Sequence, residues 1–441
     1  MNRLKKFLPA ASACTVMLTG CSFGSNIDNL MTPPKLSVEQ EQIYAALKGA
    51  AGTSISLKYP KSGKYLSAFI VEDIDGDGGN EAIVFYEKTG VTVEENPLRI
   101  NILDQSDGKW RSVCDTPAEG AEIEKVIISK LGTNERINVI IGSSLINRSE
   151  KNASIYTYNY DEGTIEQTFS EAYSFFDVTD LDNDMKNEFL LLSGSATGVP
   201  AVAETYKLDD KGKYHQYRLE LSGSFTEFDS LSYGNISGNR HGLYIDAVSG
   251  AGYIQTDIVY MDKSGLVKVF DNSDESIFTV RPAGCPSYDI DGDGFLEIPV
   301  LTIAPGYENL PESEQLKLTR WMSVSEDDTL AVKYLSYYSI NDGYIFVFPE
   351  KWQGKVTVSK DLVNDEIVFR TFSEGKSGRE LMRICCAKDE PSRQDRLSNG
   401  YMLMHTKGDS AYLLYVTPKS DNDSDDLAIT SGDAAIGFKV K

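Results

Sequence analysis

From about residue 67 the chain alternates short runs of Val, Ile, Leu, Phe and Tyr with turns rich in Asp, Asn and Gly. Runs this short, interrupted this often, predict strands. They also recur in a fixed order. One group reads AFIVEDIDGDGGN, EAIVFYE, LRINILDQSDG, KWRSVCD; a second reads SFFDVTDLDND, EFLLLSGS, AVAETYKLDDKG, KYHQYRLEL; a third reads RPAGCPSYDIDGDG, LEIPVLTIA, LTRWMSVSEDD, LAVKYLSYYS. Between them lie two groups that keep the strands and lose the acids, EKVIISKLGTNERINVIIGS with SIYTYNYDEG, and LSYGNISGNRHGLYIDAV with IQTDIVYMDKSG. The first loop position of each group falls at 73, 129, 180, 235 and 289, in steps of 51 to 56 residues. Four strands per unit at this period predict a mainly β fold, a β-propeller of about five four-stranded blades over residues 67–340, with room for a sixth or seventh. A stack of β-sandwiches or a long solenoid is the alternative.

The flanks read differently. Ser37-Val38-Glu39-Gln40 forms a capping box that opens a helix through Leu47, with Ile43 and Leu47 on its buried face, so residues 38–66 are helix and strand. After residue 340 the text stays strand-rich but loses both the period and the acidic loops, which predicts a separate small α+β domain over 341–441.

Arg3, Lys5 and Lys6 precede an apolar stretch from Phe7 to Leu18, and Leu18-Thr19-Gly20-Cys21 resembles the lipobox of bacterial lipoproteins. That resemblance implies a signal peptide over 1–20, lipid on the Cys21 thiol, and a polar linker over 21–37. The protein is then expected on the extracytoplasmic face of the cell membrane, touching the bilayer through its lipid anchor only.

Charge narrows the partners. With 43 basic against 66 acidic residues the net charge is −23, which favours cations and disfavours nucleic acid or an anionic membrane surface. Of the six cysteines, Cys14 falls in the signal peptide and Cys21 at its end; Cys114, Cys285, Cys385 and Cys386 lack the spacing of a zinc site. Neighbours in a strand point to opposite faces, so Cys385 and Cys386 are expected as buried free thiols with the other two.

The acids concentrate in three aligned loops. They are Asp73-Ile-Asp75-Gly-Asp77-Gly-Gly79-Asn-Glu81, Asp180-Leu-Asp182-Asn-Asp184-Met-Lys186-Asn-Glu188 and Asp289-Ile-Asp291-Gly-Asp293-Gly-Phe295-Leu-Glu297, with carboxylates at positions 1, 3, 5 and 9. Four carboxylates this close repel unless a cation sits among them. Calcium, which takes six to eight oxygens, resolves the conflict. Solvated Asp-Gly turns are the plain alternative. An EF-hand is rejected, because it needs Glu at position 12 and a helix after it, whereas Val84, Leu191 and Val300 stand there inside β-runs.

The loops resemble FG-GAP or VCBS repeats, the calcium-binding blades of integrin α-subunit propellers, whose loop runs DxDxDGxxD between two strands. The resemblance covers roughly residues 67 to 340 and implies up to three calcium ions, held by the side chains at positions 1, 3, 5 and 9 and the backbone oxygen at position 7, from Gly79, Lys186 and Phe295. Here position 9 is Glu where that family has Asp, the middle loop has Asn183 and Met185 where the others have glycine, and the family's Phe-Gly and Gly-Ala-Pro signatures are not clear. The loops at 129–137 and 235–243 carry no acid at these positions and are expected to be metal-free.

Catalysis finds less support. His215, His241 and His405 fall in different units, and no nucleophile elbow or phosphate-cradling glycine loop is present. The enzymatic alternative is a carbohydrate-active propeller, a glycosidase working through a carboxylate pair; Glu204, Asp246 and Asp257 are the acids outside the loops singled out for it. The expected function is a calcium-stabilised binding or adhesion module for a protein, peptide or glycan, with an envelope scaffold as a further alternative and no enzymatic activity.

Overall fold

The computed structural model describes residues 36–90, 97–144, 150–238, 240–270, 273–420 and 426–441. The signal peptide, Cys21 and most of the linker lie outside them. Among the described residues no helix is long and apolar enough to cross a membrane.

The chain is mainly β and forms six antiparallel sheets in sequence order. The second sheet joins Glu122–Lys130, Ile137–Ser144, Lys151–Asn159 and Thr164–Ala172, and the third Phe175–Thr179, Glu188–Ser193, Val202–Leu208 and Tyr214–Glu220, each strand pairing with the next. The first and fourth sheets follow the same plan, over Ile55–Pro117 and Phe228–Pro282, with one added short strand apiece.

Consecutive sheets pack face to face. Phe189 and Leu191 of the third sheet join Ile140 and Ile155 of the second, while Leu190 and Leu192, on the opposite face, join Leu243 and Ile245 of the fourth. That division explains why EFLLLS is hydrophobic without alternation: a strand between two neighbours is buried on both faces. The same interleaving continues from first to second sheet through Ile83, Phe85, Val139 and Ile141, and from fourth to fifth through Tyr244, Ile258, Ile298 and Val300.

Both ends of this row are covered by helices. Ser37 and Gln40 make the capping box, and the helix Val38–Ala51 lays Ile43 and Leu47 on the outer face of the first sheet against Val84, Tyr86 and Trp110. At the other end, Leu397 of the helix Glu390–Ser398 packs on Cys385, Ala387 and Leu413 of the sixth sheet.

Two expectations are corrected. The boundary at 340/341 is crossed by the fifth sheet, in which Tyr344–Val347 and Phe438–Val440 extend Ile298–Ile303, Lys317–Val324 and Leu330–Ser339. Residues beyond it build a sixth sheet, Val356–Asp361, Glu366–Ser373, Lys376–Ala387, Met402–Lys407 and Ser410–Val416, whose Val356, Val358 and Phe369 share one core with Ala304, Leu318 and Phe346 of the fifth. The physical reason is the aromatic set Tyr344, Phe346, Phe348 and Trp352, which is buried only where the two sheets meet. The strand expected in RPAGCPSYDIDGDG is also displaced. Arg281–Pro282 pairs with Tyr253–Asp262 of the fourth sheet, because the wholly buried Arg281 guanidinium is bound to Asp246 there.

The four cysteines are free thiols, Cys285 and Cys385 buried, Cys114 and Cys386 partly so. Cys385 faces the outer helix and Cys386 the inter-sheet core.

Leu47→Ala is expected to cost about 2–5 kcal/mol through the cavity it leaves under the helix. Equilibrium denaturation of the variant checks this; an unchanged midpoint contradicts the helix's covering role.

Candidate metal centre

The three acidic loops occupy the same place in their sheets, directly before the strands Glu81–Lys88, Glu188–Ser193 and Ile298–Ile303. In the first and third sheets they follow a paired strand; in the fifth only the bridge between Tyr288 and Glu297 remains of it. The loops at 129–137 and 235–243, which carry no acid at positions 1, 3, 5 and 9, stand at the same position in their sheets and lean on the acidic loop of the next one: the Asn187 side chain donates to Ser129 Oγ at 3.0 Å, and the Asn235 N–H to the Gly294 carbonyl at 2.9 Å.

Position 1 organises each loop. Asp73 accepts from the N–H groups of Gly76 and Gly78, Asp180 from those of Asp184 and Met185, and Asp289 from those of Gly292, Asp293 and Gly294. This curl needs a left-handed backbone at positions 4 and 6, where Gly76, Gly78, Gly292 and Gly294 have φ of 81° to 89°. The middle loop makes the same turn with Asn183 at 56° and Met185 at 67°. Asn tolerates that region; Met enters it at a cost, and its side chain, 93% exposed, gains no packing in return.

Position 9 is the buried member. Glu81 is 2% exposed, Glu188 and Glu297 0%. Each turns back into its loop, with Oε2 accepting from the N–H of position 2, Ile74, Leu181 or Ile290, at 2.8, 2.8 and 3.0 Å. Oε1 is left to face the aspartates. Ligand oxygens come within 4.8 Å of one another for Asp73, Asp75 and Glu81, for Asp180, Asp182, Asp184 and Glu188, and for Asp289, Asp291 and Glu297. Asp77 and Asp293 stay outside their clusters, and each accepts the position 7 N–H, from Gly79 at 2.6 Å and Phe295 at 2.9 Å; Lys186 donates likewise to Asp184 at 2.9 Å. Position 7 thus takes part through its N–H in all three loops.

A feature missed in the sequence separates the loops. Lys207, from the third strand of its sheet, places Nζ 2.6 Å from Asp182, 3.2 Å from Asp184 and 3.0 Å from Glu188. Lys333, from a different strand of the fifth sheet, places Nζ 2.8 Å from Asp291, 2.6 Å from Asp293 and 2.8 Å from Glu297. Among the described residues no basic side chain pairs with Asp73, Asp75, Asp77 or Glu81.

The charge states follow. Burial pushes Glu81 up to about 7, and the nearby carboxylates of Asp75, Asp104 and Asp77 add to that. Burial raises Glu188 to about 7 against the pull of Lys207. Asp291 goes the other way: burial would raise it, but Lys333 and Tyr334 hold it down at about 2. An all-oxygen set with a buried carboxylate and no internal counter-charge suits a hard divalent cation, so the first loop fits calcium.

The acids named for a catalytic pair do not converge. Asp246 faces Thr256 across the sheet while Asp257 faces Ile245, so the two point to opposite faces. Asp246 is enclosed by Arg281 at 2.7 Å, Thr256 and Ser287; Asp257 accepts from the Ser222 N–H; Glu204 is held by Arg218 and Gln216. The histidines are equally scattered: His215 pairs with Asp209 at 3.0 Å, His241 stacks on Tyr233, and His405 lies against Tyr412.

No family model and no curated protein matches this sequence. Similar solved structures include a GH43 β-1,3-galactosidase bound to galactodeoxynojirimycin, 13% identical over 66% of this chain and 96% of its own, with a TM-score of 0.24. A periplasmic gluconolactonase from Pseudomonas aeruginosa is 11% identical over 74% of this chain and 88% of its own, TM-score 0.27. An endo-arabinase from Bacteroides thetaiotaomicron is 10% identical over 74% and 95%, TM-score 0.23. Likeness at this level fixes neither architecture nor activity.

Met185→Gly is expected to stabilise the protein by on the order of 0.5–1 kcal/mol, the left-handed penalty less glycine's entropy, read as a raised urea midpoint. Asp246→Ala, which leaves the Arg281 guanidinium buried and unpaired, is expected to cost about 3–5 kcal/mol in the same assay.

Proposed function

We propose that this chain is a lipid-anchored extracytoplasmic protein with FG-GAP or VCBS-type repeats, whose sheets are blades of a propeller-type array and whose first acidic loop binds calcium as a structural ion. The observation that carries the metal reading is the approach of Asp73, Asp75 and Glu81 to within 4.8 Å of one another, with Glu81 buried. At such separations each pair of charges costs on the order of 3 kcal/mol near a protein surface, and a divalent cation reverses the sign of that contribution. Four-stranded meanders packed face to face in chain order support the blade reading.

The ion's role is to fix a loop at the edge of a rigid array. The array then acts as a binding or adhesion module, offering its loops and faces to a protein, peptide or glycan; the negative charge of the chain turns it away from nucleic acid.

A carbohydrate-active enzyme is the second reading. It requires a solvent-facing carboxylate pair other than Glu204, Asp246 and Asp257, which are engaged in separate buried contacts. Turnover of aryl glycosides or sugar lactones by the purified protein is the outcome that favours it.

Calcium at about ten to a hundred times its affinity is expected to stabilise the fold by ~1–3 kcal/mol, raising Tm, with a chelator reversing the shift. Glu81→Gln is expected to remove the response. A Tm that calcium leaves unmoved overturns the metal reading.

A further inference from the structure

We propose that Lys207 and Lys333 are the resident cations of the second and third acidic loops, so that the protein takes up calcium at the first loop alone. This rests on the reading of the first loop as a calcium site.

The two ammonium groups sit where a metal would be held. Lys207 Nζ lies within 3.2 Å of three carboxylates, and Lys333 Nζ within 2.8 Å of three. Each reaches the otherwise unshared Oε1 of a glutamate that is 0% exposed, Glu188 or Glu297. An ammonium carries one charge and three donors, and each of these lysines meets three acids. A carboxylate that deep keeps its charge only with a cation beside it, whichever cation that is.

They arrive by different routes. In the third sheet Phe189 faces Tyr206, so Lys207 stands beside Glu188 on the neighbouring strand. In the fifth sheet Trp321 faces Tyr334 and Met322 faces Val332, leaving Lys333 as the extra residue of a bulge that carries it over the loop. Two unrelated backbone positions thus deliver the same group to the same place, as expected if the loop demands a cation and the sequence is free in how it supplies one.

The first sheet has both positions and uses neither. Ala82 faces Leu103, which puts Asp104 where the third sheet has Lys207. Ile102 faces Cys114 and Leu103 faces Ser112, which leaves Val113 in a bulge matching that of Lys333. A fifth carboxylate and a valine replace the two lysines, and Glu81 Oε1 has no partner among the described residues. No cation among the described residues answers there, which leaves the site to an external one.

Calcium stoichiometry, measured by equilibrium dialysis and calorimetry on the folded protein, tests this. The wild type is expected to bind one ion per chain. Lys207→Met and Lys333→Met are each expected to bind two, since each opens a loop whose acids are already arranged. Val113→Lys, which supplies the first loop with the bulge lysine, is expected to bind none and to lose the calcium-dependent rise in Tm. A wild type that binds no calcium refutes the metal reading itself. A wild type that binds two or three ions leaves that reading standing and overturns this one. So does a wild type that binds one while both methionine variants also bind one. Should a methionine variant fail to fold, Val113→Lys decides, and one ion still bound to it overturns the proposal.

Discussion

A carboxylate buried beneath a strand is the constraint on which the rest depends. Glu81, Glu188 and Glu297 each open a strand that the neighbouring sheets cover, and each gives one oxygen to a backbone N–H and turns the other toward a ring of aspartates. Burial drives such a group to hold its proton, which is the direction of shift at all three, at Glu188 and Glu297 against the pull of a lysine. A cation allows the charge to stay, and the loop then closes over it. Two sheets supply that cation from a lysine, and the first sheet supplies a further acid.

The same economy runs through the array. A sheet between two others must be apolar on both faces, so its strands lose the alternation of a surface sheet, and position 10 of each loop is already core: Ala82, Phe189 and Ile298 are buried. The loop's sharp turn and the strand's burial are therefore neighbours by necessity. Where the row ends, helices do what a further sheet does elsewhere, with Ile43 and Leu47 at one end and Leu397 at the other.

Much of this was legible in the chain. The strand order, the regular step and the convergence of acids at positions 1, 3 and 9 all come from local pattern, which the eye can follow along one strand and its turn. What escaped depends on register between strands. Lys207 lies 25 residues from Asp182, and Lys333 lies 36 from Glu297; nothing in the intervening text marks them as partners, because the pairing is set by which residue faces which and by a one-residue bulge. The outlying Asp77 and Asp293 were not legible either: each accepts the position 7 N–H, but so does Asp184, which stays within its cluster, so local pattern does not separate them. The misplaced boundary near residue 340 has a different cause. No acidic loop precedes Tyr344–Val347, so its text carries no sign of the repeat, yet it is the strand on which the fifth sheet and the residues Phe438–Val440 close.

The functional reading inherits its strength from the first loop, since the other two acidic loops meet their carboxylates with Lys207 and Lys333. The direct measurement is a crystal structure grown with calcium and recorded for anomalous scattering. The account predicts a peak bonded to Asp73, Asp75 and Glu81, with the Lys207 and Lys333 ammonium groups in place in the other two loops. Density at the first loop that is no stronger than water contradicts it.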